Sequence, residues 1–241
     1  GKATRCARYL TGLDKTYEAV VAFGEERDTC DRTGDIVCTA DPPCAERVAA
    51  VVTSFKGEIT QVPPLYSAIH VSGKRAYQLA RAGERAELPA RVVRIHELRV
   101  REVAPATLRF EVRCSSGTYI RALARDIGRA AGSAAYLSEL RRTAVGEFRV
   151  EDAVSPEQLA GGEAMSVAAV LETIGLRMTP VPRGVARRAH HGGRILGREC
   201  GVHENGPGAL VYGGEVVATG EWNAGVFDYH VVFPEGGNGD G

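Results

Sequence analysis

The passage from residue 108 to residue 128 constrains this chain more than any other segment. Residues 108–114 alternate apolar and polar side chains, which predicts a half-buried β-strand. A Ser-Ser-Gly turn follows at 115–117. Apolar residues then recur at the spacing of one buried helix face, at Ile120, Leu123 and Ile127. The sequence therefore predicts a strand that runs through a tight turn directly into a helix.

Arg121 stands in the first turn of this predicted helix, after the candidate N-cap residues Ser116 and Thr118. The first turn carries the positive end of the helix dipole, so a cation there is unfavourable by about 0.3–1 kcal/mol. If the guanidinium reaches into water, this unfavourable interaction with the dipole remains. If an anion lies beside the guanidinium, the attraction between the two offsets it. For a lone arginine the first arrangement is the more common one, and the neighbouring residues decide between the two.

Composition is that of a globular protein. Hydrophobic residues are 44% and charged residues 25% of the 241 positions, which disfavours the disordered and membrane classes. No apolar run approaches the roughly 20 residues of a membrane span.

Cysteine and histidine usage predicts neither disulfides nor a metal site. The six cysteines form no Cys-x-x-Cys pair, so we expect reduced thiols. His190, His191, Cys200 and His203 lie near one another in sequence, but their spacing is not a zinc-finger pattern. We therefore expect no metal.

The formal net charge is zero, yet the charge is unevenly distributed along the chain. Residues 14–60 contain ten acidic and five basic side chains. Residues 74–101 contain eight basic and three acidic ones, and residues 109–149 eight basic and four acidic ones. Local basic surface of this kind suits a nucleic-acid backbone, although solvated strand and helix faces have the same composition.

Hydrophobic periodicity predicts a mixed chain up to about residue 150. Strands are predicted at 17–24, 36–39, 66–71, 91–103 and 107–114, and helices at 43–54, 74–82, 118–131 and 134–140. Strand runs precede helices without regular alternation, which favours an α+β fold over a doubly wound sheet.

A second unit begins near residue 151. Short helices are predicted at 155–159, 166–174 and 184–191, with a break at Gly161-Gly162 and a linker at 180–182; short strands separated by Gly and Asn turns follow. We expect a first domain at 1–150, a connection at 151–182, a small β-rich domain at 183–234 and a disordered tail at 235–241.

Ordered blocks of this chain resemble the TruB family of tRNA pseudouridine synthases, of the bacterial stand-alone type. The blocks are Gly1–Arg5, Asp14–Tyr17, Asp28–Asp31 with Gly34, Gln61–His70, Gly73–Tyr77 with Ala80-Arg81, Gly117–Gly128 and Leu140–Gly146. The resemblance implies an α+β fold with a mixed or antiparallel sheet and flanking helices, followed by a small PUA-like RNA-binding domain.

The implied reaction is the isomerisation of uridine to pseudouridine at position 55, in the T-loop of tRNA, with no metal or organic cofactor. The target base leaves its stack, the glycosidic bond is cut, and the base rotates and is rejoined through carbon. Tyr17 matches the active-site tyrosine that lies against the flipped base and mediates proton removal. Arg121 matches the arginine that pairs with the catalytic aspartate, and Leu140 the apolar residue that packs under the uracil. Candidate RNA-phosphate contacts are Lys74, Arg75, Arg81, Arg141 and Arg142.

The family's nucleophilic aspartate lies in a Gly-Thr-Leu-Asp-Pro-type motif upstream of the block that begins at Gly1. The sequence lacks this motif, so we expect an N-terminally incomplete catalytic domain that is inactive by itself. Asp14, Asp28, Asp31 and Asp35 match other family positions and do not replace the nucleophile. We expect a cytoplasmic monomer whose partner is tRNA. The alternatives are an RNA-binding or tRNA-folding module without catalysis, and a guide-RNA-dependent synthase acting on ribosomal RNA.

Overall fold

A computed structural model describes residues 2–67, 69–71, 74–76, 78, 88–159 and 164–234. The helices are α1 (Ala7–Thr11), α2 (Ala45–Val52), α3 (Ile120–Ala130), α4 (Pro156–Leu159), α5 (Val167–Thr173) and α6 (Arg183–His190). The strands are β1 (Lys15–Phe23), β2 (Glu25–Arg27), β3 (Ile36–Thr39), β4 (Gly57–Gln61), β5 (His70–Val71), β6 (Lys74–Arg75), β7 (Arg91–Ala104), β8 (Thr107–Cys114), β9 (Ala135–Val145), β10 (Phe148–Arg149), β11 (Arg177–Pro180), β12 (Gly206–Tyr212), β13 (Glu215–Asn223) and β14 (Val226–Val232). The fold is α+β, as the sequence predicted.

The chain divides into two compact units, one of residues 12–152 and one that joins residues 2–11 to residues 153–234. The boundary near 152 lies where the sequence pattern changes. Residues 2–11 group with the second unit, whereas their position in the sequence suggested the first. Two of their side chains bond β14 backbone, with Arg5 donating to the carbonyl of Val232 and Arg8 to that of His230.

The unit of residues 12–152 is built on a six-stranded antiparallel sheet of order β10-β9-β1-β8-β7-β4. Strand β1 lies in the middle of this sheet, between β9 and β8, and its alternation places Ala19, Val21 and Phe23 on one face, where all are buried. Helix α3 covers this face with Leu123 and Ile127, both without solvent exposure. The predicted period-two and helical patterns thus meet in one core.

The structure differs from the predictions at β9 and at the start of α3. Residues 134–140 were expected to be helical, but they enter β9, which pairs antiparallel with β1 from Phe23 to Lys15. The Ala, Leu and Glu residues of this segment favour helix, and pairing along a buried central strand overrides that preference. Helix α3 is capped at Tyr119 rather than at Ser116 or Thr118.

The segment around residue 70 also differs from its prediction. Among the described residues of the expected strand 66–71, His70–Val71 form a strand, and Lys74–Arg75, expected to open a helix, form β6. Most of the remainder of that predicted helix lies outside the described residues, as do the break at 161–162 and the tail at 235–241.

The second unit contains a four-stranded sheet of order β11-β12-β13-β14, in which β11 and β12 are parallel and the other pairs antiparallel. Its core packs α6 against the sheet around Trp222 and Phe227, whose rings meet edge to face. In the described part of the chain, no helix is long and apolar enough to cross a membrane.

Candidate active site

A buried amide holds the strand-to-helix passage that the sequence singled out. The Gln61 side chain, at the end of β4, is completely buried. Its Oε1 accepts the backbone N–H of Tyr119 at 2.8 Å, and its Nε2 donates to the carbonyl of Tyr119 at 3.1 Å. The start of α3, and with it the position of Arg121, is therefore fixed by a side chain 58 residues earlier in the chain.

Arg121 meets the anion that its helix position calls for. Its Nη1 donates to Oδ2 of Asp31 at 3.0 Å and to the carbonyl of Thr29 at 3.1 Å. Its Nη2 donates to the carbonyl of Tyr66 at 2.9 Å. The side chains of Arg121 and Asp31 are 25% and 23% exposed, so this ion pair is screened less than a surface pair.

The loop between β2 and β3 presents Asp31 through its own hydrogen bonds. Oδ1 of Asp31 accepts from the Thr33 hydroxyl at 2.5 Å, the Thr33 backbone N–H at 3.0 Å and the Thr29 hydroxyl at 3.0 Å. Cys30 has a φ of 58°, a left-handed conformation that few non-glycine residues adopt. A Cβ at Gly34 would lie 2.2 Å from Oδ1 of Asp28 and 2.3 Å from the Thr29 hydroxyl oxygen, so only glycine fits there.

These contacts lower the pKa of Asp31. Partial burial by itself raises the pKa, but hydrogen bonds from Thr33 and Thr29 and the charge of Arg121 outweigh it. The carboxylate of Asp31 is therefore ionised throughout the neutral range, and it can balance the guanidinium.

Helix α3 carries a row of arginines at four-residue spacing that ties surrounding loops to the core. After Arg121, Arg125 donates to the carbonyl of Val62 at 2.8 Å, and Arg129 binds both carboxylate oxygens of Glu26 at 2.8 and 2.5 Å. The segment after β4 and strand β2 are thereby attached to the same helix face. These attachments hold in position the two segments whose backbone carbonyls bond Arg121.

A cavity of about 510 Å³ opens beside the ion pair. Its lining includes Asp31, Thr33 and Arg121 together with Leu137–Leu140 of β9. Leu140 is 47% exposed although it is a large apolar residue. The cavity thus combines a charged pair with an apolar side chain that is free to contact a planar ligand.

Tyr17 is not among the residues that line this cavity, but the strand register relates it to Leu140. Tyr17 lies opposite Arg142, and Ala19 opposite Leu140, in the β1–β9 pair. Directly paired residues and residues two apart share a sheet face, so these side chains lie on one face. Burial raises the pKa of Tyr17, while Arg142 lowers it in part, so the phenol is neutral at neutral pH.

Of the predicted RNA contacts, Arg141 and Arg142 are described with their side chains, and these lie on opposite faces of β9. Arg141 pairs with Glu18 on the opposite face of the sheet and is exposed. Lys74 and Arg75 form β6, and only their backbone is described; Arg81 lies outside the described residues. Arg142 is the candidate that shares a sheet face with Tyr17.

Sequence reasoning missed the residues that hold Arg121. It included Asp31 in a family block without pairing it to Arg121, and it gave no role to Gln61, Thr29 or Thr33. The periodicity of the sequence contains no signal for these contacts, because they join segments far apart in the chain. Among the described residues no cluster of His, Cys, Asp or Glu could hold a metal ion, and all six cysteines are free thiols.

Solved structures identify the class of fold. The chain is similar to a crystal structure of a Cbf5–Nop10–Gar1 complex, with a TM-score of 0.67 and 24% identity over 97% of this chain and 70% of that one. It is also similar to a structure of an H/ACA RNP bound to a substrate RNA containing 2′-deoxyuridine, with a TM-score of 0.66, 21% identity and coverage of 96% and 69%. The chain therefore has the same fold as the matching parts of these structures.

Sequence comparison identifies the family. Residues 1–120 match the N-terminal domain of TruB family pseudouridylate synthases, and residues 121–174 match the C-terminal domain of tRNA pseudouridylate synthase B. The chain is 40% identical to tRNA pseudouridine synthase B of Azoarcus sp. (strain BH72), over 93% of this chain and 76% of that protein. It is 38% identical to the Sinorhizobium medicae protein of the same name, over 97% and 80%. The chain belongs to the TruB family of pseudouridylate synthases.

Proposed function

We infer that this protein isomerises uridine to pseudouridine in RNA, and we propose that its substrate is uridine 55 in the T-loop of tRNA. The inference rests on the cavity at which the Arg121–Asp31 pair and Leu140 meet, in a chain of this family. The named activity of the relatives, tRNA pseudouridine synthase B, supports tRNA as the substrate.

The cavity suits a base taken out of its stack. Extruding a base costs a few kcal/mol, which the pocket recovers by packing its face and bonding its edge. The half-exposed Leu140 offers an apolar surface, and covering it with a base removes that surface from water. We assign Leu140 the role of packing under the uracil.

Arg121 has capacity for one further anion. A guanidinium carries five N–H donors, and the contacts to Thr29, Asp31 and Tyr66 use three of them. The remaining Nε–H and one Nη2–H have no partner among the described residues. We propose that they bind the carboxylate of the nucleophilic aspartate, keep it ionised and orient it toward the sugar.

Tyr17 is assigned the proton transfer that follows base rotation. Its phenol is neutral and shares a sheet face with Leu140 and Arg142. A neutral hydroxyl next to a cation can accept a proton from carbon as it passes its own to solvent, so no permanent charge is needed at this position.

The nucleophile is assigned to the Gly-Thr-Leu-Asp-Pro-type motif, which the sequence does not contain. We therefore propose that the chain needs a segment with this motif for turnover, and that without it the chain binds tRNA but does not modify it. Asp31 does not substitute for the nucleophile, because its Oδ1 accepts three hydrogen bonds and its Oδ2 is bound to Arg121.

Binding to the tRNA backbone is assigned to basic residues outside the cavity. We propose phosphate contacts for Lys74, Arg75, Arg81, Arg141 and Arg142. In the second unit, α6 carries Arg183, Arg187, Arg188 and His190 along a groove of about 810 Å³. This basic groove supports a PUA-like RNA-binding role for residues 183–234. We further propose that the protein acts as a monomer in the cytoplasm.

A tritium-release assay tests the function. The chain alone, and the chain joined to a family segment that carries the missing motif, are incubated with tRNA labelled with tritium at C5 of uridine. We expect release only from the joined chain. Robust turnover by the chain alone would overturn the assignment of the nucleophile. If the joined chain showed no turnover, the proposed synthase activity would be overturned, and an RNA-binding module would be favoured.

Arg121→Ala and Arg141→Ala in the joined chain separate catalysis from binding. We expect Arg121→Ala to lower the single-turnover rate by about 100-fold or more with tRNA affinity nearly intact. Arg141→Ala should weaken tRNA binding modestly. It should also reduce the slope of the logarithm of the binding constant against the logarithm of the salt concentration by about one unit. If Arg121→Ala affected only affinity, it would be a phosphate ligand and its catalytic assignment would be wrong.

A further inference from the structure

The two carboxylate oxygens of Asp31 accept hydrogen bonds from different groups. Oδ2 bonds Arg121, while Oδ1 accepts only from within its own loop. Thr33 supplies two of these bonds, one from its hydroxyl and one from its backbone N–H. The hydroxyl bond, at 2.5 Å, is the shortest hydrogen bond to this carboxylate.

A carboxylate bonded at one oxygen can rotate about its χ2 torsion, which is broad and shallow for aspartate. Bonds to both oxygens remove this freedom. One of the three hydrogen bonds of the Arg121 guanidinium goes to Oδ2 of Asp31, so the orientation of the guanidinium depends on the direction in which Oδ2 points. The loop, together with the carbonyl of Tyr66, therefore determines where the two remaining donors of Arg121 are aimed.

Thr29 connects the two partners a second time. Its hydroxyl donates to Oδ1 of Asp31 at 3.0 Å, and its carbonyl accepts from Nη1 of Arg121 at 3.1 Å. Thr29 is also close to Gly34, which leaves room for its side chain. The hydroxyl of Thr29 has other acceptors within reach, including the carbonyl of Asp31 at 3.2 Å, whereas the Thr33 hydroxyl is committed to the carboxylate.

We propose that Thr33 is a positioning residue of the isomerase, which holds the Asp31 carboxylate in the rotamer that aims Arg121 at the reacting centre. This proposal rests on the function inferred above. Thr33 has no part in the chemistry and acts only through Asp31. Thr29 supports the same arrangement in a secondary way.

The first test measures the Asp31 carboxyl directly and needs no activity. The side-chain carboxyl of Asp31 is titrated by ¹³C NMR in the parent chain, in Thr33→Val and in Thr33→Ser. Hydrogen bonds to the ionised form lower a pKa, so their removal in Thr33→Val should raise the pKa of Asp31 toward its ordinary value. Thr33→Ser keeps the hydroxyl and should restore the parent titration.

The second test measures turnover in the chain joined to the motif-bearing segment. Thr33→Val should lower the single-turnover rate by about 10-fold, leave the Kd for tRNA unchanged, and move the acid limb of the pH–rate profile to higher pH. Thr33→Ser should recover the rate. The matched control is Thr39→Val, at an exposed position of β3 in the same hairpin, which should change none of these quantities.

The outcomes are distinguishable. An unchanged pKa of Asp31 in Thr33→Val would overturn the proposal, as would a weaker Kd with an unchanged single-turnover rate, since Thr33 would then contact RNA directly. Absence of turnover in the unsubstituted joined chain would count against the proposed function. The NMR comparison would still decide whether Thr33 holds Asp31.

Discussion

Replacement of Gln61 by Leu tests whether one buried amide holds the start of α3. Leu has a similar volume, so the loss of hydrogen bonds dominates over any cavity. In this variant the Tyr119 carbonyl still accepts a hydrogen bond from the N–H of Leu123, at 3.0 Å in the parent. The N–H of Tyr119, however, loses its acceptor, which is Oε1 of Gln61 at 2.8 Å. A buried donor left unsatisfied costs about 1–3 kcal/mol, and the lost bond to the carbonyl about 1 kcal/mol more.

The expected loss is therefore about 2–4 kcal/mol in the free energy of unfolding, or a fall in Tm of roughly 4–15 °C. Thermal unfolding followed by circular dichroism measures it. The matched control is Thr60→Val, an exposed neighbour on the same strand, which should stay within about 0.5 kcal/mol of the parent. A Tm for Gln61→Leu within about 1 °C of the parent would refute the argument that this amide fixes the junction.

Three further predictions follow from the geometry. Tyr17→Phe in the joined chain should lower the single-turnover rate by about 100-fold without loss of tRNA affinity, measured by rapid quench; an unimpaired rate would remove Tyr17 from the proton transfer. Burial raises the pKa of the Cys114 thiol to about 11, so iodoacetamide at pH 8 should alkylate the exposed Cys38 and spare Cys114 in a mass-spectrometric time course, and equal labelling would contradict this. Gly128→Ala would bring a Cβ to 2.4 Å from the Cβ of Ala135 and 2.8 Å from its backbone N, and should cost about 2 kcal/mol or more in urea unfolding. Gly184→Ala, with open space around its Cβ in another helix, should be neutral or slightly stabilising, and equal effects of the two changes would contradict the packing argument.

The sequence determined the elements that depend on local patterns. Alternation in β1 and β8 and the helical period of α3 predicted which face of each element is buried, because the apolar side chains must leave water together. The same pattern placed Arg121 in the first turn of a helix, and the family resemblance implied that it pairs with a carboxylate, that of the catalytic aspartate. The family blocks around Tyr17, Arg121 and Leu140 indicated the reaction.

The tertiary structure decided which anion meets Arg121 and what holds it. Asp31 lies 90 positions away from Arg121, and Gln61 lies 58 away from Tyr119. Residues 134–140, predicted as a helix, enter the strand Ala135–Val145 because a central partner was available along β1. Hydrogen bonds and strand pairing between distant segments depend on where the folded backbone brings polar groups together, and hydrophobic periodicity along the chain carries no record of that arrangement.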